Sequence, residues 1–214
     1  MKSVTASHIL DILNQEYPHT RDDMNFLKFR TPFEILIMTI LSAQTTDKTV
    51  NGLRDELFGT YPDAAALAAA DISDVEKIIK PTGFYHAKAK NIIGTAQKLV
   101  SDFNGEVPDT IEELITLPGV GRKTANIVTN HAFHKTCGIA VDTHVGRLSQ
   151  RLGFSSHKEP EKIEQDLLKL FDREYWEHVN FLLISHGRAV CTARNPDCRS
   201  CILKEECNYG RTNQ

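Results

Sequence analysis

The sequence predicts an all-α protein, and three observations carry the prediction. Apolar residues recur at helical spacing along most of the 214 residues. Capping patterns stand in front of several of these runs. No alternating, strand-like pattern extends beyond four or five residues. The balance of 41% hydrophobic and 25% charged residues is that of an ordinary globular chain. This length can bury a core as one large domain or two small ones. Nothing near about 18 consecutive apolar residues occurs, which excludes a transmembrane helix. The N-terminal stretch MKSVTASHILDILNQEYP meets polar and acidic residues too soon for a secretory leader. A cytoplasmic location with reduced thiols is therefore expected.

The elements follow in order. Thr31-Pro32-Phe33-Glu34 combines an N-cap, a proline at the first helical position and a glutamate at N3, a capping box ahead of the apolar run Ile35 to Leu41. Asp47 is expected to cap the next helix, which ends near Gly59. Ser73 with Glu76, and Asp109 with Glu112, read as two further boxes. Tyr61-Pro62, Pro81-Thr82-Gly83 and Asn104-Gly105 read as breaks. The alanine-rich stretch 64–70 reads as a small-residue helix face. The sum is nine to eleven short helices. No linker or low-complexity segment marks a contiguous domain boundary.

Residues 111–134 read as helix, tight turn, helix, with Leu117-Pro118-Gly119-Val120-Gly121 at the turn. Two glycines around one apolar residue let the backbone turn sharply and approach another molecule closely. The second helix starts there, and its free N–H groups suit a phosphate. Leu117 and Val120 would anchor the turn. This is the sequence form of a helix–hairpin–helix, a binder of DNA backbone. A Walker A loop fails, because Arg122 stands where glycine must precede the lysine and no strand leads in. An ordinary helical corner with glycine caps is the plainer alternative.

Lys123 falls in the first turn of that second helix. A cation there opposes the helix dipole, and Arg122 adds like charge; both disfavour the protonated amine. A neutral amine can attack carbon and form a Schiff base; a phosphate contact is the alternative role. Asp142, in Val141-Asp142-Thr143-His144, follows an apolar stretch and precedes an amphipathic helix. It reads as an N-cap, or as a carboxylate fixed by capping bonds that stabilises positive charge or deprotonates an amine.

Cys191, Cys198, Cys201 and Cys207 form C-x6-C-x2-C-x5-C. Four thiols this close imply one metal or one cluster. Only one C-x2-C pair is present, unlike paired zinc knuckles, and the spacing differs from ferredoxin runs. Zinc and iron–sulfur both remain open on spacing. Cys137 has no partner and reads as a buried structural thiol.

These motifs together resemble the endonuclease III family of bifunctional DNA glycosylase/AP lyases. The resemblance rests on Leu117 to Ala125, Val141-Asp142-Thr143-His144, Leu41-Ser42-Ala43-Gln44-Thr45-Thr46-Asp47 and the cysteine spacing. It covers nearly the whole chain. It implies a 4Fe–4S cluster on Cys191, Cys198, Cys201 and Cys207, structural and DNA-associated rather than catalytic. It implies two helical domains with DNA in a cleft between them: a six-helix barrel at about residues 24–134, and an iron–sulfur domain from residues 1–23 and 135–214. Lys123 matches the Schiff-base lysine and Asp142 the catalytic aspartate. Gln44 matches a residue that fills the space left by a flipped nucleotide, and Phe84 stands at the position of an apolar wedge. Gly119, Val120, Gly121 and Arg122 are the hairpin's DNA contacts; His144 and Arg147 are support or phosphate contacts. Arg194 is the only base in the loop between the first two cysteines, so a weak DNA contact is expected there. Ile115 stands where some members carry an acidic residue.

The implied reaction flips a damaged pyrimidine out of the duplex. Lys123 attacks C1′, the base leaves, and β-elimination nicks the strand. Oxidised or ring-saturated pyrimidines and abasic sites in duplex DNA are the expected substrates. The expected protein is a cytoplasmic, nucleoid-associated monomer without membrane contact. Mismatch and pyrimidine-dimer glycosylases are the alternatives within the superfamily; thymine-mismatch members typically place tyrosine where Lys123 stands. A non-catalytic iron–sulfur DNA-binding protein would need neither Lys123 nor Asp142.

The net charge of −3 hides a division. Residues 77–98 carry a local +5 and residues 114–151 a local +4, which leaves −12 for the remainder. The two basic portions hold the wedge, the hairpin and the lysine, and are expected to face phosphate.

Overall fold

The computed structural model describes residues 3–212. The first and last two residues of the expected discontinuous domain lie outside the described residues. Twelve α-helices and three 3-10 turns make up the regular structure among the described residues. The helices are α1 (Ser3–Glu16), α2 (Pro32–Leu41), α3 (Asp47–Thr60), α4 (Ala64–Ala68), α5 (Ile72–Ile79) and α6 (Tyr85–Phe103). They continue with α7 (Ile111–Leu114), α8 (Arg122–Phe133), α9 (Thr143–Leu152), α10 (Pro160–Leu170), α11 (Trp176–Ala189) and α12 (Asn208–Thr212). The count exceeds nine to eleven because α4, α7 and α12 are only 5, 4 and 5 residues long. A single turn is too short to show a helical period.

The first box forms as its residues dictate: the Thr31 hydroxyl accepts the Glu34 N–H at 3.1 Å with Pro32 leading the helix. The Glu34 carboxylate accepts the Arg30 N–H at 2.7 Å and pairs with Arg54 at 3.1 Å. The other three expected caps each shift by one or two residues. Thr46, not Asp47, caps α3; Thr110, not Asp109, caps α7; Asp71, not Ser73, caps α5. A cap needs extended backbone and a side-chain oxygen within reach of an N–H two or three residues on. Thr46, Thr110 and Asp71 meet both conditions. Asp109 instead pairs with Lys135 at 2.5 Å, and Ser73 gives both its N–H and its hydroxyl to Asp71. The expected breaks occur where placed: α3 ends at Tyr61, and α6 ends on Asn104 and Gly105, both at positive φ.

The chain separates into two compact units, one of Phe26–Cys137 and one of Met1–Asn25 with Gly138–Gln214. In the first unit α2 is the core helix, with every residue from Phe33 to Leu41 buried. A helix apolar on all sides must be enclosed, and α3, α6 and α8 pack around it. The long α6 also packs on α4 and α5. In the second unit α11 is enclosed: it buries Val179, Leu182, Leu183 and His186 and packs on α1 and α9. Cys137 is exposed rather than buried. It sits in the irregular stretch after α8, at the unit boundary, where no apolar surface covers it. Among the described residues no helix is long and apolar enough to cross a membrane.

One polar contact in the second unit makes its stability depend on pH. His19 Nε2 and His178 Nδ1 lie 3.0 Å apart, so one of the two nitrogens must be unprotonated. Burial, with His19 and Arg21 nearby, holds the His178 imidazole below its ordinary value of 6.5, against the pull of Glu177. The unfolded chain therefore binds more protons below that value, and folding weakens as pH falls. The thermal midpoint, followed by circular dichroism, is expected to drop as the pH falls below 6.5. The drop is expected to be smaller in His178→Gln.

Candidate functional site

The hairpin is seated on α6. Gly119 adopts φ +74°, a left-handed conformation open chiefly to glycine. A Cβ there would lie 2.9–3.0 Å from the Asn91 side chain. Thr95 Oγ1 donates to the Pro118 carbonyl at 2.7 Å, and Pro118 packs against Gly94. Leu117 and Val120 are buried, as their anchoring role requires. Val120 also gives its N–H to the Leu117 carbonyl. Val120 is thus buried with its amide engaged, and it holds the turn. Gly121 caps α8 without a side chain. A Cβ on it would meet nothing within 4 Å, so nothing inside the protein requires glycine there. The N–H groups of Gly119 and Gly121 find no acceptor among the described residues.

Lys123 stands exposed in the first turn of α8, in the first unit, and its amine has no ion pair or hydrogen bond among the described residues. Arg122 beside it is half-buried. Asp142 belongs to the second unit and is the N-cap of α9. Its Oδ1 accepts the His144 and Val145 N–H groups, each at 2.8 Å. Oδ2 has no hydrogen-bond partner among the described residues. The carboxylate is thus held by one oxygen and presents the other.

His144 and Arg147 have internal roles. Arg147 donates to the Cys191 carbonyl at 3.0 and 3.2 Å, to the Gly187 carbonyl at 3.1 Å and to His144 Nδ1 at 3.1 Å. Its guanidinium ties α9 to the end of α11. Burial holds the His144 imidazole below its ordinary value, against the Asp142 carboxylate.

Gln44 and Phe84 share two unusual features: each is exposed and each has left-handed backbone, φ 55° and 49°. Phe84 is 71% exposed, which rules out a core role for its ring. Strained, exposed residues of this kind cluster at functional sites. Ile115 is likewise exposed, at 49%. Arg194 lies exposed in the loop after Cys191.

In the second unit Cys191, Cys198, Cys201 and Cys207 line one cavity. Burial first, then the neighbouring cysteines, pushes the Cys198 thiol up; burial dominates at Cys201, where the other three also contribute. Among the described residues no three His, Cys, Asp or Glu side chains form a group that could hold one metal ion. Three donors face the sulfurs that spacing alone did not reveal. Arg151 Nη1 donates to Cys191 Sγ at 3.1 Å, the Gly210 N–H to Cys207 Sγ at 3.3 Å, and His186 Nε2 lies 3.4 Å from Cys201 Sγ. Arg151 also holds the loop, through the Thr192 and Ala193 carbonyls.

The basic stretches are less available than their sums suggest. Lys77 pairs with Asp74, Lys98 with Asp102 and Lys135 with Asp109. Lys88 is buried, and Arg147 and Arg151 serve the interior. Lys80, Lys90 and Lys123 keep amines without an ion-pair partner among the described residues. Sequence reasoning also missed Lys88, Asn91 and Thr95 of α6. Their spacing of three and four residues marks one polar stripe beside the apolar stripe Ala89, Ile92, Ala96 and Leu99.

The two hairpin glycines are expected to behave differently. Gly119→Ala forces a side chain into left-handed backbone and against Asn91, and should cost about 1–3 kcal/mol in denaturant unfolding. Gly121→Ala should stay within about 0.5 kcal/mol of the parent. Its duplex-DNA affinity, measured by fluorescence anisotropy, should nevertheless fall by about two- to tenfold.

The model of the HhH-GPD superfamily of base excision DNA repair proteins matches residues 37–173. The chain is 50% identical to endonuclease III of Synechocystis sp. over 206 residues, 96% of this chain and 93% of that protein. It is 42% identical to endonuclease III of Escherichia coli over 209 residues, 98% and 97% of the two chains. Its structure matches a trapped endonuclease III–DNA covalent intermediate, an estranged-adenine complex, with TM-score 0.91 and 38% identity over 99% and 98% of the chains. A thermostable thymine-DNA glycosylase matches at TM-score 0.82 and 25% identity over 98% and 96%. The chain belongs to the endonuclease III family of the HhH-GPD superfamily.

Proposed function

We propose that this base-excision repair DNA glycosylase/AP lyase removes oxidised or ring-saturated pyrimidines from duplex DNA through a Schiff base on Lys123, acting as a monomer. The observation that carries the reading is the state of Lys123: an exposed amine without partner, in the first turn of a helix whose N-terminus opens behind the hairpin. The hairpin N–H groups of Gly119 and Gly121 suit a phosphate oxygen, and so bring DNA to the start of α8.

In the proposed sequence the damaged nucleotide leaves the stack, since its C1′ cannot be reached inside the duplex. The Lys123 amine attacks C1′ as the glycosidic bond breaks and the base departs. Opening of the sugar ring at the C1′–O4′ bond, with a proton passing to O4′, turns this adduct into an imine; the imine labilises the C2′ proton, and loss of the 3′ phosphate completes β-elimination. Asp142, held by one oxygen, offers the other to the positive charge that develops on the sugar or to the proton of the attacking amine. Gln44 and Phe84 enter the duplex where the nucleotide has left.

The four cysteines would hold a 4Fe–4S cluster. The donor set is all sulfur, which suits zinc or iron–sulfur and not harder cations. The four sulfurs line one common cavity, so a single group could be held by all of them. Bound there, the cluster supplies structural order and an electron-accepting centre. Arg151 and the Gly210 amide would neutralise and orient the Cys191 and Cys207 sulfurs.

Borohydride is expected to trap the protein covalently on a duplex containing thymine glycol. Lys123→Gln should abolish trapping, and its persistence in that variant would overturn the lysine assignment. Asp142→Asn keeps an equally good helix cap, so stability should hold, while turnover falls by about 100-fold or more. The purified protein should absorb near about 400 nm if iron–sulfur is present; a colourless, zinc-containing protein would contradict the cluster.

A further inference from the structure

Lys88 is an anomaly among the lysines. It lies on α6, only 5% exposed, yet no carboxylate accompanies it. Its amine donates to Thr45 Oγ1 at 2.6 Å and to the Thr82 carbonyl at 2.9 Å. Thr45 Oγ1 in turn reaches the same Thr82 carbonyl at 2.5 Å. Burial alone lowers the affinity of this amine for its proton. A buried ammonium held only by neutral oxygens is costly to keep, and helix α6 would pack as well with an apolar side chain there.

What the three groups join is informative. Thr45 follows Gln44 directly in the chain, and Thr82 precedes Phe84 by two residues. Gln44 and Phe84 are both exposed and both held in left-handed backbone. Such backbone persists only where its surroundings fix it. Neither residue is glycine; Gln44 lies in the turn between α2 and α3, and Phe84 lies between a 3-10 turn at Lys80–Thr82 and the start of α6.

We propose that Lys88 is a positioning residue for base extrusion: its buried amine clamps the Gln44 loop to the Phe84 loop, so that both side chains are preset to enter the duplex together. The proposal rests on the insertion roles assigned above to Gln44 and Phe84. Lys88 touches no reacting atom; it acts through the two loops. The ammonium is suited to this because one group can donate to oxygens on two segments at once.

The test uses the full-length protein and a duplex with 2-aminopurine opposite a stable abasic-site analogue, whose fluorescence reports disruption of the stack. Lys88→Met keeps the length of the side chain and removes the clamp, and Thr45→Val removes the acceptor on the other loop. In Lys88→Met the thermal midpoint should hold or rise; in Thr45→Val, which leaves the buried ammonium one acceptor short, it should fall. The fluorescence change should slow, and release of thymine glycol from duplex should fall by up to about 100-fold, the scale of a misplaced positioning group. Cleavage of a single-stranded abasic oligonucleotide, which needs no extrusion, should be unchanged. The double variant should be no worse than either single variant. Normal extrusion and normal glycosylase activity in Lys88→Met would overturn the clamp. Equal losses on single-stranded and duplex DNA would also overturn it, by showing general damage. Phe84→Ala and Gln44→Ala separate the two levels: if these retain normal fluorescence changes, the insertion reading fails and the clamp with it. If they lose the signal while Lys88→Met keeps it, the clamp alone fails.

Discussion

The first unit depends on how closely α6 approaches the loops around it. At its N-terminal end the buried Lys88 amine joins the Thr45 and Thr82 loops. One to two turns further on, Asn91, Gly94 and Thr95 form the seat of the hairpin. The adjacent stripe of the same helix, from Ala89 to Leu99, is buried in the core. One rigid helix thus locates the two exposed, strained residues and the hairpin turn with respect to one another. The arrangement requires glycine at 119, where any Cβ would collide with Asn91. Sites built on helices in this way keep their geometry better than sites carried by loops alone.

Lys123 and Asp142 illustrate two opposite uses of a helix N-terminus. Asp142 satisfies the dipole of α9 and two of its orphan N–H groups, which fixes the carboxylate without a salt bridge. Lys123 opposes the dipole of α8 and has nothing to offset it. The favourable placement fixes a carboxylate; the unfavourable one leaves an exposed amine at the helix start. The second unit repeats the theme around sulfur, where Arg151, a backbone amide and His186 approach the thiols. A proline or an apolar residue in any of these places would leave the sulfurs without donors.

Helical periodicity and the hairpin glycines were legible in the sequence because each depends on near neighbours in the chain. So were Lys123 and Asp142, whose positions relative to helix starts are local facts. Caps were less legible: Thr46 and Asp47 are both good cap residues, and only the backbone angles decide between them. The apportioning of the chain between two units was invisible in composition, since the second unit is assembled from both ends of the chain. Cys137, exposed at the boundary, was misread for the same reason. Charge was the least legible quantity. A segment sum counts Lys88, Arg147 and Arg151 as surface cations, whereas Lys88 is buried and the arginines bind carbonyls. Burial of long side chains depends on tertiary partners, which no window of sequence contains.

The central claim is that one amine, Lys123 Nζ, forms the bond to DNA. Mass spectrometry of the borohydride-reduced complex, digested to peptides, locates that bond directly. The account predicts a sugar remnant on Lys123 and on no other residue. An adduct on Lys80, Lys90 or the α-amino group, with Lys123 unmodified, would contradict it.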